Sequence, residues 1–134
     1  MNSCKIIILC ALVPFLFFSH GCAQGETYFI DQSGLEKIIL DHENVLIIDV
    51  REPHERHGPL GKIPGSLNIP LGLLEQGITS VDLDPDTVIV LLCRTQNRSQ
   101  TAYQVLGKMD FSKIYVLKGG MMNYNHQQPI PSRE

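Results

Sequence analysis

Runs of like charge are absent from this chain. Its lysines and arginines are scattered and the formal net charge is only -3, so neither nucleic acid nor an anionic membrane surface is an expected partner. Internal repeats and low-complexity tracts are missing as well, which excludes solenoids and arrays. No apolar run reaches the roughly 20 residues that a membrane-spanning helix needs. Cysteine is scarce: four occur, Cys4, Cys10, Cys22 and Cys93. Only Cys93 lies away from the N-terminal region, so the body of the chain has no second thiol with which to form a structural disulfide.

What is present at the N-terminus is an uninterrupted apolar stretch, Ile6 to Phe18, preceded by Lys5. It contains no polar residue, shows no amphipathic period and carries Pro14 in its middle, which suits a signal-peptide core better than a buried strand or helix. Residues 1–23 are therefore read as a leader that directs export, to a bacterial periplasm or to its membrane. Two endings stay open. Gly21-Cys22-Ala23 offers small residues to an ordinary signal peptidase. Gly21-Cys22 also resembles the end of a bacterial lipobox, in which Cys22 would be lipidated and become the new N-terminus; Ser19 and His20 stand where that motif has Leu and a small residue. Contact with a membrane is expected only through this leader or anchor. Loss of residues 1–23 removes Lys5 and no acid, taking the charge from -3 to -4.

The rest of the chain is long enough for one domain, placed at 28–130, with 131–134 as a tail and the chain loosening from Gln127. Ser33-Gly34-Leu35-Glu36 has the form of a capping box at a helix start, after which Leu35, Ile38 and Ile39 share a helical face. Val45–Ile48, Val88–Leu92 and Ile114–Leu117 are short continuous apolar runs, the pattern of parallel strands covered on both faces. Leu67-Asn68-Ile69, bounded by Pro64-Gly65 and Pro70, reads as another short strand. Leu71–Gln76 is a short helical stretch. In Arg98–Met109, Ala102, Val105, Leu106 and Met109 recur at helical spacing. Strands alternating with helices imply an α/β fold in three layers, a mostly parallel sheet flanked by helices. Such sheets bind ligands where strand C-termini meet helix N-termini, and residues 92–99 form a junction of that kind.

Cys93-Arg94-Thr95-Gln96-Asn97-Arg98-Ser99 fills this junction. A loop curled around the sulfur would turn successive amides inward as an anion nest. The helix N-terminus adds partial positive charge, and Arg94 and Arg98 add two full ones. All of these favour a thiolate, the nucleophilic form, and would equally favour a persulfide anion. A single cysteine at the end of a core strand can also be no more than a small buried hydrophobe. The nearby arginines and the polar Thr95, Asn97 and Ser99 favour the chemical role.

The same loop resembles the active-site loop of rhodanese-like domains, commonly Cys-Arg-(Ser/Thr)-Gly-Asn-Arg-Ser. Asp49-Val50-Arg51-Glu52-Pro53-His54-Glu55 resembles the family's Asp-Val-Arg-Glu-Pro-x-Glu. Gly61-Lys62-Ile63-Pro64-Gly65-Ser66-Leu67-Asn68-Ile69-Pro70 resembles its Gly-His-Ile-Pro-Gly-Ala-x-Asn-Ile-Pro, and Val116-Leu117-Lys118-Gly119-Gly120 its Val-Leu-x-Gly-Gly. The motifs follow the family's order across about residues 28–130. Three departures stand out: Gln96 for the usual loop Gly, Lys62 for His, and Met121-Met122 for the aromatic that often follows the double Gly. A Gln at position 96 is strained if the loop needs positive φ there; otherwise its side chain is free to contact substrate.

The resemblance implies a sulfurtransferase. Cys93 would take a sulfane sulfur from a small anionic donor such as thiosulfate and pass it to a thiol, cyanide or protein acceptor. The amides of Arg94, Thr95, Gln96, Asn97, Arg98 and Ser99 would bind persulfide and donor, and Arg94 and Arg98 would attract the anion. Asp49 and Arg51 would support the loop as an ion pair. No cofactor and no metal are called for. A non-catalytic carrier or protein-binding module is the alternative. Phosphatases that share the fold place Arg after five intervening residues, where this chain has Ser99, so phosphoryl transfer is not expected. His54 and His57, with Glu52 and Glu55, have metal-ligating side chains but are read as solvent-facing. Asn97-Arg98-Ser99 fits a glycosylation pattern, which its place in the loop discounts.

Overall fold

The computed structural model describes residues 28–84, 86–128 and 131. The expected leader, Cys22 and all of the tail except Pro131 lie outside the described residues. The chain order is β1 (Phe29–Ile30), α1 (Gln32–Asp41), β2 (Val45–Asp49), β3 (Leu67–Asn68), α2 (Leu74–Thr79), β4 (Val88–Leu92), α3 (Asn97–Lys108), β5 (Ile114–Leu117) and α4 (Gly120–Asn123). Single 3₁₀ turns cover Pro53–His57 and Leu71–Leu73. The five strands form one sheet in the order β1-β5-β4-β2-β3, and every pairing is parallel.

Side-chain alternation in β4 explains the layering. Ile89, Leu91 and Cys93 pack into one apolar cluster with Leu74 and Ile78 of α2 and with Ala102 and Leu106 of α3. Val88, Val90 and Leu92 enter the other cluster, with Leu35 and Ile38 of α1 and with Leu117, Met121 and Tyr124. Successive strand residues point to opposite faces, so a strand covered on both sides has no polar position to spare. Each fully buried Leu or Ile contributes about 1.5–3 kcal/mol relative to exposure. The result is the expected α/β fold in three layers.

Helix α1 departs from its expected start. It begins one residue before Ser33, and its cap is Asp31, whose Oδ1 accepts from the Gly34 amide at 2.8 Å and from the Ser33 hydroxyl at 2.7 Å. A carboxylate accepts more strongly than a hydroxyl, so Ser33 becomes a donor in the first turn instead of the cap. These two bonds lower the Asp31 pKa, the Gly34 amide most. Strand β1, only two residues long, is held by β5 through Phe29↔Val116 and Ile30↔Leu117. A parallel sheet brings the C-terminal ends of β2, β4 and β5 to one edge, and the site is built there.

Candidate active site

Strand β2 ends at Asp49, which is fully buried with Arg51. Arg51 Nε donates to Asp49 Oδ1 at 2.9 Å and Arg51 Nη2 to Oδ2 at 2.7 Å, a two-pronged ion pair. Arg51 Nη2 also donates to the Gly61 carbonyl at 2.8 Å, and Nη1 to the Glu55 carbonyl at 3.3 Å. Asn68 Nδ2 donates to the carbonyls of Asp49 and Arg51, and Arg56 Nε lies 3.5 Å from Asp49 Oδ2, an ion pair without a hydrogen bond. A buried charge left alone is costly, but this pair is compensated on all sides. Asp49 and Arg51 thus brace the chain between β2 and β3.

Cys93 follows β4 directly and is 1% exposed. Exposure this low is what an inert core cysteine would show as well. The residues that follow it bear on the choice. Among the described residues, none of the backbone amides of Arg94, Thr95, Gln96, Asn97, Arg98 and Ser99 donates a hydrogen bond within the protein; the first donor beyond them is the Gln100 amide, to the Gln96 carbonyl at 2.9 Å. Ser99 is fully buried, and its hydroxyl also has no partner among the described residues. Arg94, Thr95 and Asn97 are exposed, so water reaches part of this row, whereas an unmet donor in the interior, as the Ser99 hydroxyl is, costs about 1–3 kcal/mol. Six consecutive amides and a buried hydroxyl, set between a strand end and a helix N-terminus, are suited to an anion.

The first two carbonyls of the same segment are taken. The Met121 amide donates to the Cys93 carbonyl at 2.9 Å and the Met122 amide to the Arg94 carbonyl at 3.0 Å. Gly120 permits this approach: its φ is +54, and a Cβ there would collide with the backbone of Cys93, Arg94 and Thr95. Gln96 has φ -161, extended backbone open to any residue, so the departure from Gly brings no strain. Its side chain is nevertheless not left for substrate, because Oε1 accepts from the Gly119 amide at 3.2 Å.

The two arginines of the loop have different fates. Arg94 is exposed and makes no ion pair among the described residues. Arg98 is held in a two-pronged pair by Glu55, Nη1 to Oε2 at 2.7 Å and Nη2 to Oε1 at 2.8 Å. The Arg98 hydrogen bond pulls the Glu55 pKa down to about 2 against the opposing effect of burial. Arg98 is raised in turn, chiefly by its bond to Glu55, with smaller contributions from the charges of Glu55, Cys93 and Asp49. The expectation that Glu55 faces solvent is therefore corrected. It is half-buried and fixes the first turn of α3 to the 3₁₀ turn after β2, whereas Glu52, His54 and His57 are exposed. Sequence reasoning gave Glu55 no part in the site; its place four residues after Arg51, in the same motif, was the available signal. Beside the loop lies a cleft of about 390 Å³ lined by Arg94, Leu60, Pro59, His54 and Met122, with Cys93 outside its lining.

Residues 31–127 match the family model described as the rhodanese-like domain. The chain belongs to the rhodanese-like family. It is 31% identical over 106 residues to a sulfurtransferase of Allochromatium vinosum, covering 78% of this chain and 95% of that protein. It is 32% identical to the protein YqhL of Bacillus subtilis, covering 92% of each. Among solved structures, a rhodanese-related protein from Thermoplasma volcanium superposes with a TM-score of 0.61 at 27% identity, covering 75% of this chain and 92% of that one. These likenesses support sulfur transfer in general terms as the activity of this rhodanese-like chain.

Proposed function

We propose that the domain moves a sulfane sulfur from a small anionic donor such as thiosulfate to a nucleophilic acceptor through a persulfide on Cys93. The observation that carries this reading is the row of free amides from Arg94 to Ser99 immediately after the sulfur. In the first half-reaction the Cys93 thiolate attacks the outer sulfur of thiosulfate. A sulfur–sulfur bond forms to Cys93, the bond to the sulfonate breaks, and sulfite leaves with the electron pair. The product, Cys93–S–S⁻, carries its charge on the terminal sulfur. In the second half-reaction a thiol, cyanide or protein nucleophile takes that sulfur and the Cys93 thiolate returns. Amides held in a loop that turned them inward would, unlike water, need no reorganisation to meet the developing charge. The Ser99 hydroxyl is the side-chain donor assigned to the bound anion, and Arg94 is the cation assigned to drawing donors in. Arg98, occupied by Glu55, holds the loop in shape.

The burial of Cys93 favours a second reading, a carrier that loads sulfur without turning over. Incubation of the wild-type protein and a Cys93→Ser variant with thiosulfate and cyanide separates the two. Catalysis gives steady thiocyanate release and a mass gain of one sulfur atom in the wild type, both absent from the variant. Loading without thiocyanate identifies a carrier. A wild-type protein that gains no sulfur and forms no thiocyanate refutes sulfur transfer from thiosulfate. Export of the mature domain, freely or through a lipid on Cys22, belongs to the same proposal; N-terminal analysis of the cellular protein decides between the two forms.

A further inference from the structure

The segment from Gly119 to Met122 fastens the Cys93 loop at three points. Two of them, Met121 to the Cys93 carbonyl and Met122 to the Arg94 carbonyl, join backbone to backbone and are open to any sequence. The third, from the Gly119 amide to Gln96 Oε1 at 3.2 Å, exists only because residue 96 has an amide side chain long enough to reach across. A glycine at 96 would leave the Gly119 amide without this partner. The φ at 96, -161, lies outside the left-handed region, and this bond is the one hydrogen bond described for the side chain. The loop it fastens begins at Cys93, which is 1% exposed and packs on its other side into the apolar cluster of α2 and α3.

We infer that Gln96 is an access-determining residue, a side-chain latch that keeps the loop closed over Cys93 and so restricts the sulfur to small reaction partners. The inference rests on Cys93 being the reacting group and adds which partners it admits. A slender inorganic donor needs only a small excursion of the loop, whereas a bulky aromatic thiosulfonate or disulfide needs the latch undone. A neutral hydrogen bond of this kind shifts an open–closed balance by roughly three- to tenfold. The cleft beside Arg94 does not substitute for the latch as a route, because its walls do not include Cys93.

The test measures modification at the Cys93 peptide by mass spectrometry, using full-length protein, so that the other cysteines do not confuse the count. Iodoacetamide serves as the small probe and an aromatic disulfide as the large one. Gln96→Met keeps the length and removes the acceptor; Gln96→Glu keeps an acceptor for the Gly119 amide. In the Met variant the large probe gains roughly three- to tenfold in rate and the small probe gains clearly less, while the Glu variant stays near wild type. Equal acceleration of both probes, no change in the Met variant, or the same loss of protection in both variants overturns the latch. Because the readout is covalent modification of Cys93, by alkylation or by thiol–disulfide exchange, the latch stands or falls independently of whether thiosulfate is turned over.

Discussion

At the scale of single residues, the site depends on side chains that serve one another before they serve a substrate. Glu55 and Arg98 show the difference most plainly. Two cations near a sulfur suggest two anion-binding groups, but one is neutralised by a carboxylate 43 residues away. That pairing is a stability statement with a definite sign. The Glu55 pKa in the folded protein, about 2, lies below its ordinary value of 4.5, so its contribution is complete above pH 4.5 and is lost as the pH falls toward 2. The pair is partly exposed, and solvent screening limits it to about 1 kcal/mol. In acid titrations followed by circular dichroism, the wild type should therefore exceed Glu55→Gln in stability at pH 7 and lose that advantage between pH 4.5 and 2. An advantage that is constant across this range contradicts the pairing. The lone-residue question left by the sequence, whether Gln96 strains the loop, is answered at this scale too: φ is ordinary and the side chain has a partner.

At the scale of elements, the strands were legible because burial on both faces leaves a signature of continuous apolar residues. β4 and β5 have the bounds read from the sequence, and α3 begins one residue earlier than its apolar period suggests. The missed elements are those whose existence depends on partners elsewhere. Two-residue β1 is a strand only because β5 pairs with it, and α4 starts at a glycine whose role is the space it leaves for the Cys93 loop. The loop motif itself was legible, since its residues are contiguous; its latch, its Glu55 tether and its carbonyl anchors were not, since all of them are set by which strand ends lie side by side. Glycine substitutions distinguish these cases. Gly120→Ala places a Cβ against the loop backbone at positive φ, and should cost at least about 2 kcal/mol and disrupt sulfur transfer. Gly107→Ala, with open space around it in α3, should stabilise by about 0.5–1 kcal/mol through helix propensity. Thermal melts of both variants check the contrast, and similar shifts in the two would show that the close approach at Gly120 does not matter.

At the scale of the whole molecule, the parallel sheet separates stability from chemistry. Its two faces carry separate apolar clusters, and its C-terminal edge gathers Asp49, Cys93 and the Gly119-Gly120 turn from distant parts of the sequence. Order β1-β5-β4-β2-β3 puts the Cys93 strand between the strands that supply the other two. Nothing in the apolar pattern dictates that order, which is why the site's residues could be named from the sequence but not their mutual contacts. If the sheet insulates its faces, small defects in the two clusters should act independently. Ile38 lies on α1 in one cluster and Ile78 on α2 in the other. Ile38→Val and Ile78→Val should each cost about 0.5–1.5 kcal/mol, and the double variant should cost their sum to within about 0.5 kcal/mol. Sulfur loading of Cys93 per folded molecule should stay unchanged in all three, because the loop is anchored to Gly119, to α4 and to Glu55, and not to α1 or α2. Urea denaturation gives the energies and intact mass the loading. A large coupling between the two substitutions would mean that strain crosses the sheet, and the sheet edge could then no longer be treated as a rigid mount for the Cys93 loop.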